Sequence, residues 1–242
     1  VPKKGKFTGQ VINVKGKMFS FFKSYYVDYT AFLFLCRSDL DKAAKLIVSH
    51  FRRFRLTIHT GSRSAKESSK PEAMRFPIDP KTTGAEDIPE DIEIDEDCFM
   101  SFCNKFVDLG SVFVPSLCDT TDIKARIGKA RGLFYSMNKA LLCNQSIPIR
   151  TRCHFYQAIV VNIVLWGCES WALKAEDRTR LERFHRHCLR RICNITMWDV
   201  KEKRITCMQL RKMAAGSPSM ESRMESRKAN WLSKVYRMDE SR

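Results

Sequence analysis

Apolar and polar positions recur along this chain with a period that changes from its first half to its second. From Leu40, apolar side chains return at Ala43, Ile47, Phe51 and Phe54, close to one helical turn apart. Ser38 stands where an N-cap would, and Asp39 and Asp41 put negative charge in the first turn, where the helix dipole favours it. Extended stretches flank that helix. Ala31-Phe32-Leu33-Phe34-Leu35 is a continuous apolar run before it, Leu56-Thr57-Ile58-His59 alternates and stops at Thr60-Gly61, and Ala73-Met74-Arg75-Phe76 ends at Pro77. Hairpin, helix, strand, loop and strand is the order these patterns predict.

The second half reads as helix almost throughout. A helix opening at Asp122 lines up Ile123, Ile127, Ala130 and Phe134, with Lys124, Arg126, Lys129 and Arg131 on its flanks or beyond. Residues 149–165 form a second apolar helix, started by Pro148, whose missing N–H costs nothing at that position. A third runs from Asp177 to Ile195 with Leu181, Phe184, Cys188, Ile192 and Ile195 on one face. Arg183, Arg186 and Arg190 point the opposite way, and Arg180 and Arg191 sit at the stripe's edge. Between the halves, Glu86 to Asp97 is mostly acidic. Like charges at that density repel, so residues 84–98 are expected to form an exposed loop without a buried core. The expected fold class is α+β, with one unit over 1–115 and a mostly helical one over 120–242.

Charge narrows the partners. The chain of 242 residues carries a formal net charge of +16. The acidic stretch balances most of the basic residues before it, so nearly all of the excess lies beyond Ile123, the footprint of a phosphate-binding surface. Its 10 cysteines include no Cys-x-x-Cys pair, and no signal peptide is visible, which argues against a secreted disulfide framework. His185, His187, Cys188 and Cys193 cluster at a spacing that suits no zinc finger or knuckle, and Cys188 falls on the apolar face. The apolar stretches at 31–36 and 158–166 are well short of the about 20 residues that cross a bilayer. An intracellular protein, nuclear or cytoplasmic, is expected.

Particular wording sharpens the picture. Tyr26-Val27-Asp28-Tyr29-Thr30-Ala31-Phe32-Leu33-Phe34 resembles the Tyr-x-Asp-Asp metal-binding hairpin of reverse transcriptases, with Tyr29 where the second Asp would stand. Residues 50–61 and Ser69-Lys70-Pro71-Glu72-Ala73-Met74 resemble "F-x-x-F-G-L-x-I-x" and "S-K-T-E-A-M", with Arg55 in the place of a glycine. Residues 105–111 resemble "F-x-Y-L-G-S" with Asp108 for the Tyr, and residues 165–173 resemble "L-Y-G-x-E-x-W-x-L". Leu181 to Ile192 matches "L-x-x-F-H-x-x-C-L-R-x-I" closely. Trp198-Asp199 loosely echoes "W-x-D", and residues 227–238 echo "R-x-x-x-W-L-G-H-V-x-R-M" with Ser233-Lys234 for Gly-His. In this order the motifs resemble the reverse transcriptase of non-LTR (LINE-type) retrotransposons, from the end of the palm through the thumb-like region, over nearly the whole chain.

The resemblance implies a partial polymerase palm followed by a helical thumb-like region. It implies Mg2+ as the family's cofactor, with Asp28 as the remaining metal ligand and catalytic carboxylate. Lys70 would lie near the incoming nucleotide, and Phe106, Leu109 and Gly110 would belong to a hairpin that grips the primer. Two hard cations need several oxygen ligands, and a phenol of pKa about 10 is neutral near pH 7, so Asp28 with Tyr29 is a poor pair. The chain begins at Val1, and the upstream strand that carries the family's other metal-binding Asp is not among its residues. An inactive reverse-transcriptase fragment is expected. The alternative is a non-catalytic module that binds RNA and DNA template–primer through Lys124, Lys129, Arg180, Arg183, Arg186 and Arg190. A third reading is an interaction protein whose basic face meets an acidic partner.

Overall fold

The computed structural model describes residues 10–12, 18–20, 23–26, 29–76 and 89–238. They form a mixed α/β chain in which helix predominates, divided into two compact units at Phe106/Val107. That division falls earlier than the expected 1–115 and 120–242 because the hairpin after it is bonded to the helices.

In the first unit, β1 (Gln10–Ile12) pairs antiparallel with β2 (Met18–Ser20), and β3 (Lys23–Tyr26) with β4 (Tyr29–Phe32). Tyr26 faces Tyr29 across β3 and β4, so the expected hairpin is present; Asp28 lies outside the described residues. Helix α1 (Arg37–Arg53) starts one residue ahead of Ser38, which therefore is not its N-cap. Arg37 ties that end down instead, donating to Asp41 at 2.6 Å and to the carbonyls of Glu90 and Asp91 at 2.8 and 2.9 Å.

The end of α1 explains a departure noted in the sequence. Arg55 has φ +60°, its N–H donates to Arg52 O, and the Leu56 N–H donates to Phe51 O. This is a Schellman stop, which favours glycine at the left-handed position. Arg55 occupies it at a steric cost.

Residues 56–60 make no ladder, contrary to the strand expected there. Pairing begins only at β5 (Gly61–Ser62), and β6 (Glu72–Ala73) is shorter than the expected 73–76 strand. The central strand is β8 (Cys98–Phe102), with β5 and β7 (Ile92–Glu93) antiparallel to it and β6 parallel. Of the acidic segment, residues 84–88 lie outside the described residues, and the remainder departs from the exposed loop expected. Ile92 and Ile94 are buried, and with Ala44 and Val48 they form the unit's small core. The carboxylates alternating with them are solvated: Glu93 pairs with Arg63, and Asp95 with Arg52 at 2.8 Å. Isoleucines two apart follow a strand's period, so one face is apolar while the acids stay solvated.

The boundary of the second unit falls after the first residue of β9 (Phe106–Asp108), which is followed by β10 (Ser111–Phe113), the two joined through Leu109 and Gly110. Both turn residues have positive φ, +47° and +83°, as a tight hairpin turn requires. Next come α2 (Thr120–Ser136), a widened turn over Asn138–Leu142, and a helix that runs as α3 (Ile149–Phe155), a wide turn (Tyr156–Val161) and α4 (Asn162–Val164). A single tight turn, Cys168–Ser170, leads to α5 (Ala175–Ile192). Helices α6 (Met197–Glu202), α7 (Cys207–Met213) and α8 (Met220–Tyr236) complete the unit.

One core joins these helices. It includes Ile123, Ile127, Ala130 and Phe134 of α2 and Leu181, Phe184, Cys188 and Ile192 of α5, the faces their periodicity predicts. Helix α5 stops at Ile192, short of the expected Ile195. Asn194 takes φ +56° and Ile195 N–H turns back to Arg190 O at 2.8 Å, a second Schellman stop. No helix among the described residues is long and apolar enough to cross a membrane.

Candidate nucleic-acid interface

Three segments distant in sequence meet at the start of α2. Asp122, in the first turn of that helix, is buried, and its carboxylate accepts from Val112 N at 3.0 Å, Arg126 Nε at 3.0 Å and Trp171 Nε1 at 3.2 Å. Arg126, expected on a basic flank, is buried as well. Its Nη2 donates to Gly110 O at 3.1 Å and Ser111 Oγ at 2.9 Å. Trp166 Nε1 donates to Leu109 O at 3.3 Å. The hairpin turn is thus clamped on both sides, by α2 and by the loop around Gly167. Gly167 has φ +73°, and Ser111 Oγ lies 3.5 Å from where a Cβ would stand. A buried ion pair of this kind fixes geometry more than it stabilises; removing one partner leaves an uncompensated charge.

The expected primer-contacting residues sit on that clamped hairpin. Phe106 is half-buried in β9, while Leu109 is exposed at the turn and Gly110 half-buried beside it. Lys70 is exposed in the other unit, in the loop before β6, with its N–H on His59 O at 3.0 Å. Tyr29 is in β4.

The arginines of α5 divide into two groups. Arg180 is held by Asp177 at 2.8 Å, a carboxylate that is itself buried and also accepts from Thr120 Oγ1 at 2.7 Å. Arg178 pairs with Glu221 at 2.6 Å. Arg186 is half-buried with its Nη1 on Cys207 Sγ at 3.4 Å, because α7 packs on a face that periodicity alone leaves to solvent. Arg183 is exposed, Arg190 half-buried and Arg191 exposed, and among the described residues none of the three pairs with a carboxylate. Lys124 and Lys129 are exposed on α2.

The two histidines of α5 face different ways, as positions two apart on a helix must. His185 is fully buried. Its Nδ1 accepts from Tyr156 OH at 2.8 Å and its Nε2–H donates to Pro218 O at 3.1 Å, while the Tyr156 ring stacks on it. Burial, reinforced by nearby Arg223, brings its pKa down to about 4. His187 points outward, with Nε2 3.1 Å from Tyr135 OH, and Arg191 lies 5.5 Å over the Tyr135 ring. Burial, then Arg190, Arg191 and Arg131, lowers its pKa. Arg191, His187 and Tyr135 were not among the expected contact residues, although the consecutive Arg190-Arg191 ahead of Asn194 marks a basic helix end.

No protein-family model, curated protein or solved structure matches this chain.

Proposed function

We propose that this chain is part of a non-LTR retrotransposon reverse transcriptase, the end of the palm and a thumb-like helical region, that binds nucleic acid without polymerising. Support comes from the cluster around Asp122. The motif segments 105–111 and 165–173 carry the wording of that family, and their Leu109, Gly110, Ser111, Trp166 and Trp171 are joined by hydrogen bonds to one another or to Asp122 and Arg126 of α2. A surface of exposed cations on α2 and α5 without carboxylate partners among the described residues, in a chain of formal charge +16, supplies the affinity for phosphates.

The donor set at the β3–β4 hairpin fits Mg2+ poorly. One carboxylate, Asp28, flanked by the phenols of Tyr26 and Tyr29, lacks the oxygen ligands that in-line phosphoryl transfer with two ions requires. No catalytic step is assigned to this chain. The test is the whole purified chain with a labelled RNA–DNA primer–template. Binding whose log affinity falls linearly with log salt, without magnesium-dependent primer extension, is expected. Extension would overturn the non-catalytic reading, and absence of binding at low salt would overturn the rest.

A non-catalytic module serving a different process is the second reading. It is favoured by Arg183, Arg190 and Arg191, which have no carboxylate partner among the described residues and require no polymerase around them. Preference for a duplex without a primer end would select it.

A further inference from the structure

Past the Schellman turn that ends α5 there is an open cleft of about 420 Å³. His187, Arg190, Arg191, Asn194, Thr196 and Met197 line most of it, and no lining residue is acidic. We infer that this cleft binds a phosphodiester of a single nucleic-acid strand, held between Arg190 and Arg191, with a neighbouring base stacked on the adjoining aromatic side chains. The inference rests on the nucleic-acid-binding reading above and names the place where it acts.

Charge selects the ligand's sign. Several arginines of this helix region are engaged, Arg178 with Glu221, Arg180 with Asp177, and Arg211 of α7 with Glu182, while Arg183 is exposed outside the cleft lining. Arg190 and Arg191 have no such partner among the described residues. The acid nearest in sequence, Asp199, does not line the cleft, and its carboxylate is already engaged. One of its oxygens accepts from Thr196 N and Oγ1 at 2.9 and 2.6 Å, and the other from Lys203 Nζ at 3.0 Å. Arg131, reaching from α2, adds positive potential at His187. Two guanidinium groups beside a neutral imidazole offer charge-assisted donors to phosphate oxygens.

Shape and apolar character select a single strand. Tyr135 is 45% exposed and carries Arg191 over its ring, so one cation and one aromatic face are already set side by side. Met197 in the cleft wall and the next residue, Trp198, are exposed. Exposed aromatics beside a basic groove stack unpaired bases, whose faces a duplex hides. Tyr135 is held in place by its hydroxyl on His187 and by an edge contact with Phe134. The turn that presents the two arginines is fixed by Asn194 in the left-handed region and by the Thr196–Asp199 capping box that starts α6.

The test is fluorescence anisotropy of a short labelled oligo-uridylate against the whole chain at fixed salt. The Arg190→Ala/Arg191→Ala variant is expected to bind at least ~10-fold more weakly and to lose about 0.7 in the log-log salt slope per phosphate contact removed. An Arg150→Ala/Lys212→Ala variant removes the same charge at exposed positions outside the cleft and is expected to bind within about twofold of the parent. Tryptophan emission and thermal unfolding establish that both variants fold. If the alanine pair does not fold, Arg190→Lys/Arg191→Lys keeps the charge but loses the forked donors, and a loss of several-fold is still expected.

Equal losses in the two charge-matched variants would overturn the cleft while leaving general phosphate binding intact. Equal competition by a blunt duplex, or by polyglutamate at the same ionic strength, would overturn the single-strand assignment. A parent chain that binds no oligonucleotide would remove both this inference and the reading beneath it.

Discussion

Acidification between pH 6.5 and 4 is expected to destabilise the helical unit through His185. In the folded chain the ring is fully buried and neutral, with one nitrogen accepting from Tyr156 and the other donating to Pro218. Burial and the nearby Arg223 and Arg211 bring its pKa to about 4, against about 6.5 when solvated. The folded value is depressed, so the unfolded chain takes up the proton first. The stabilisation is complete above pH 6.5 and is lost as pH falls toward 4. A gap of about 2.5 pK units at 1.36 kcal/mol each is about 3 kcal/mol in full, and about 2 kcal/mol of it is gone by pH 5. His187, also lowered, adds a contribution of the same sign.

The assay is urea unfolding followed by tryptophan emission, which isolates this unit because Trp166, Trp171, Trp198 and Trp231 all lie in it. His185→Gln keeps an N–H for Pro218 and does not titrate. It starts about 1–3 kcal/mol less stable at pH 7, since Tyr156 loses its acceptor. Its further loss between pH 7 and pH 5 is expected to be about 2 kcal/mol smaller than the parent's. Parallel losses in the two proteins would refute the assignment of acid sensitivity to this ring.

Asp122→Ala strands a buried guanidinium and is expected to cost about 3–5 kcal/mol in the same assay, whereas Asp122→Ala/Arg126→Met removes the charge with its partner and costs less. A double variant as unstable as the single one would contradict this. Arg55→Gly relieves a left-handed residue at the end of α1 and is expected to raise stability by ~1 kcal/mol. Amide exchange of residues 50–56 would report it, and unchanged protection there would contradict it. Residues 1–106 expressed alone are expected to aggregate, because Leu46, Phe51, Phe54 and Leu56 are exposed around α1 and β8 carries only short partner strands. A soluble, monomeric fragment in gel filtration would count against that.

Much of the architecture was legible from local pattern. The buried faces of α2 and α5 and the helix beginning after Pro148 follow from apolar spacing alone, because a helix puts residues three and four apart on one side whatever lies opposite. Gly110 at a hairpin turn, and a left-handed position beneath Arg55, were likewise readable, since steric limits on φ are local. Alternation of Ile92 and Ile94 could have identified β7, but the acidic density around them pointed to a spacer.

What escaped is of one kind. Arg126 looks like a flank residue, and Asp122 only like the opening of a helix, until β10 and Trp171 close over them. Arg180 and Arg186 look free until Asp177 and α7 engage them, and Arg191, at the edge of the apolar stripe, proves to be an open cation beside Tyr135. Periodicity assigns a residue to a face, and dihedral chemistry assigns it to a turn. Whether a charge on that face is buried, paired or open to a phosphate depends on which distant segment packs against it, and that was decided only by the tertiary fold.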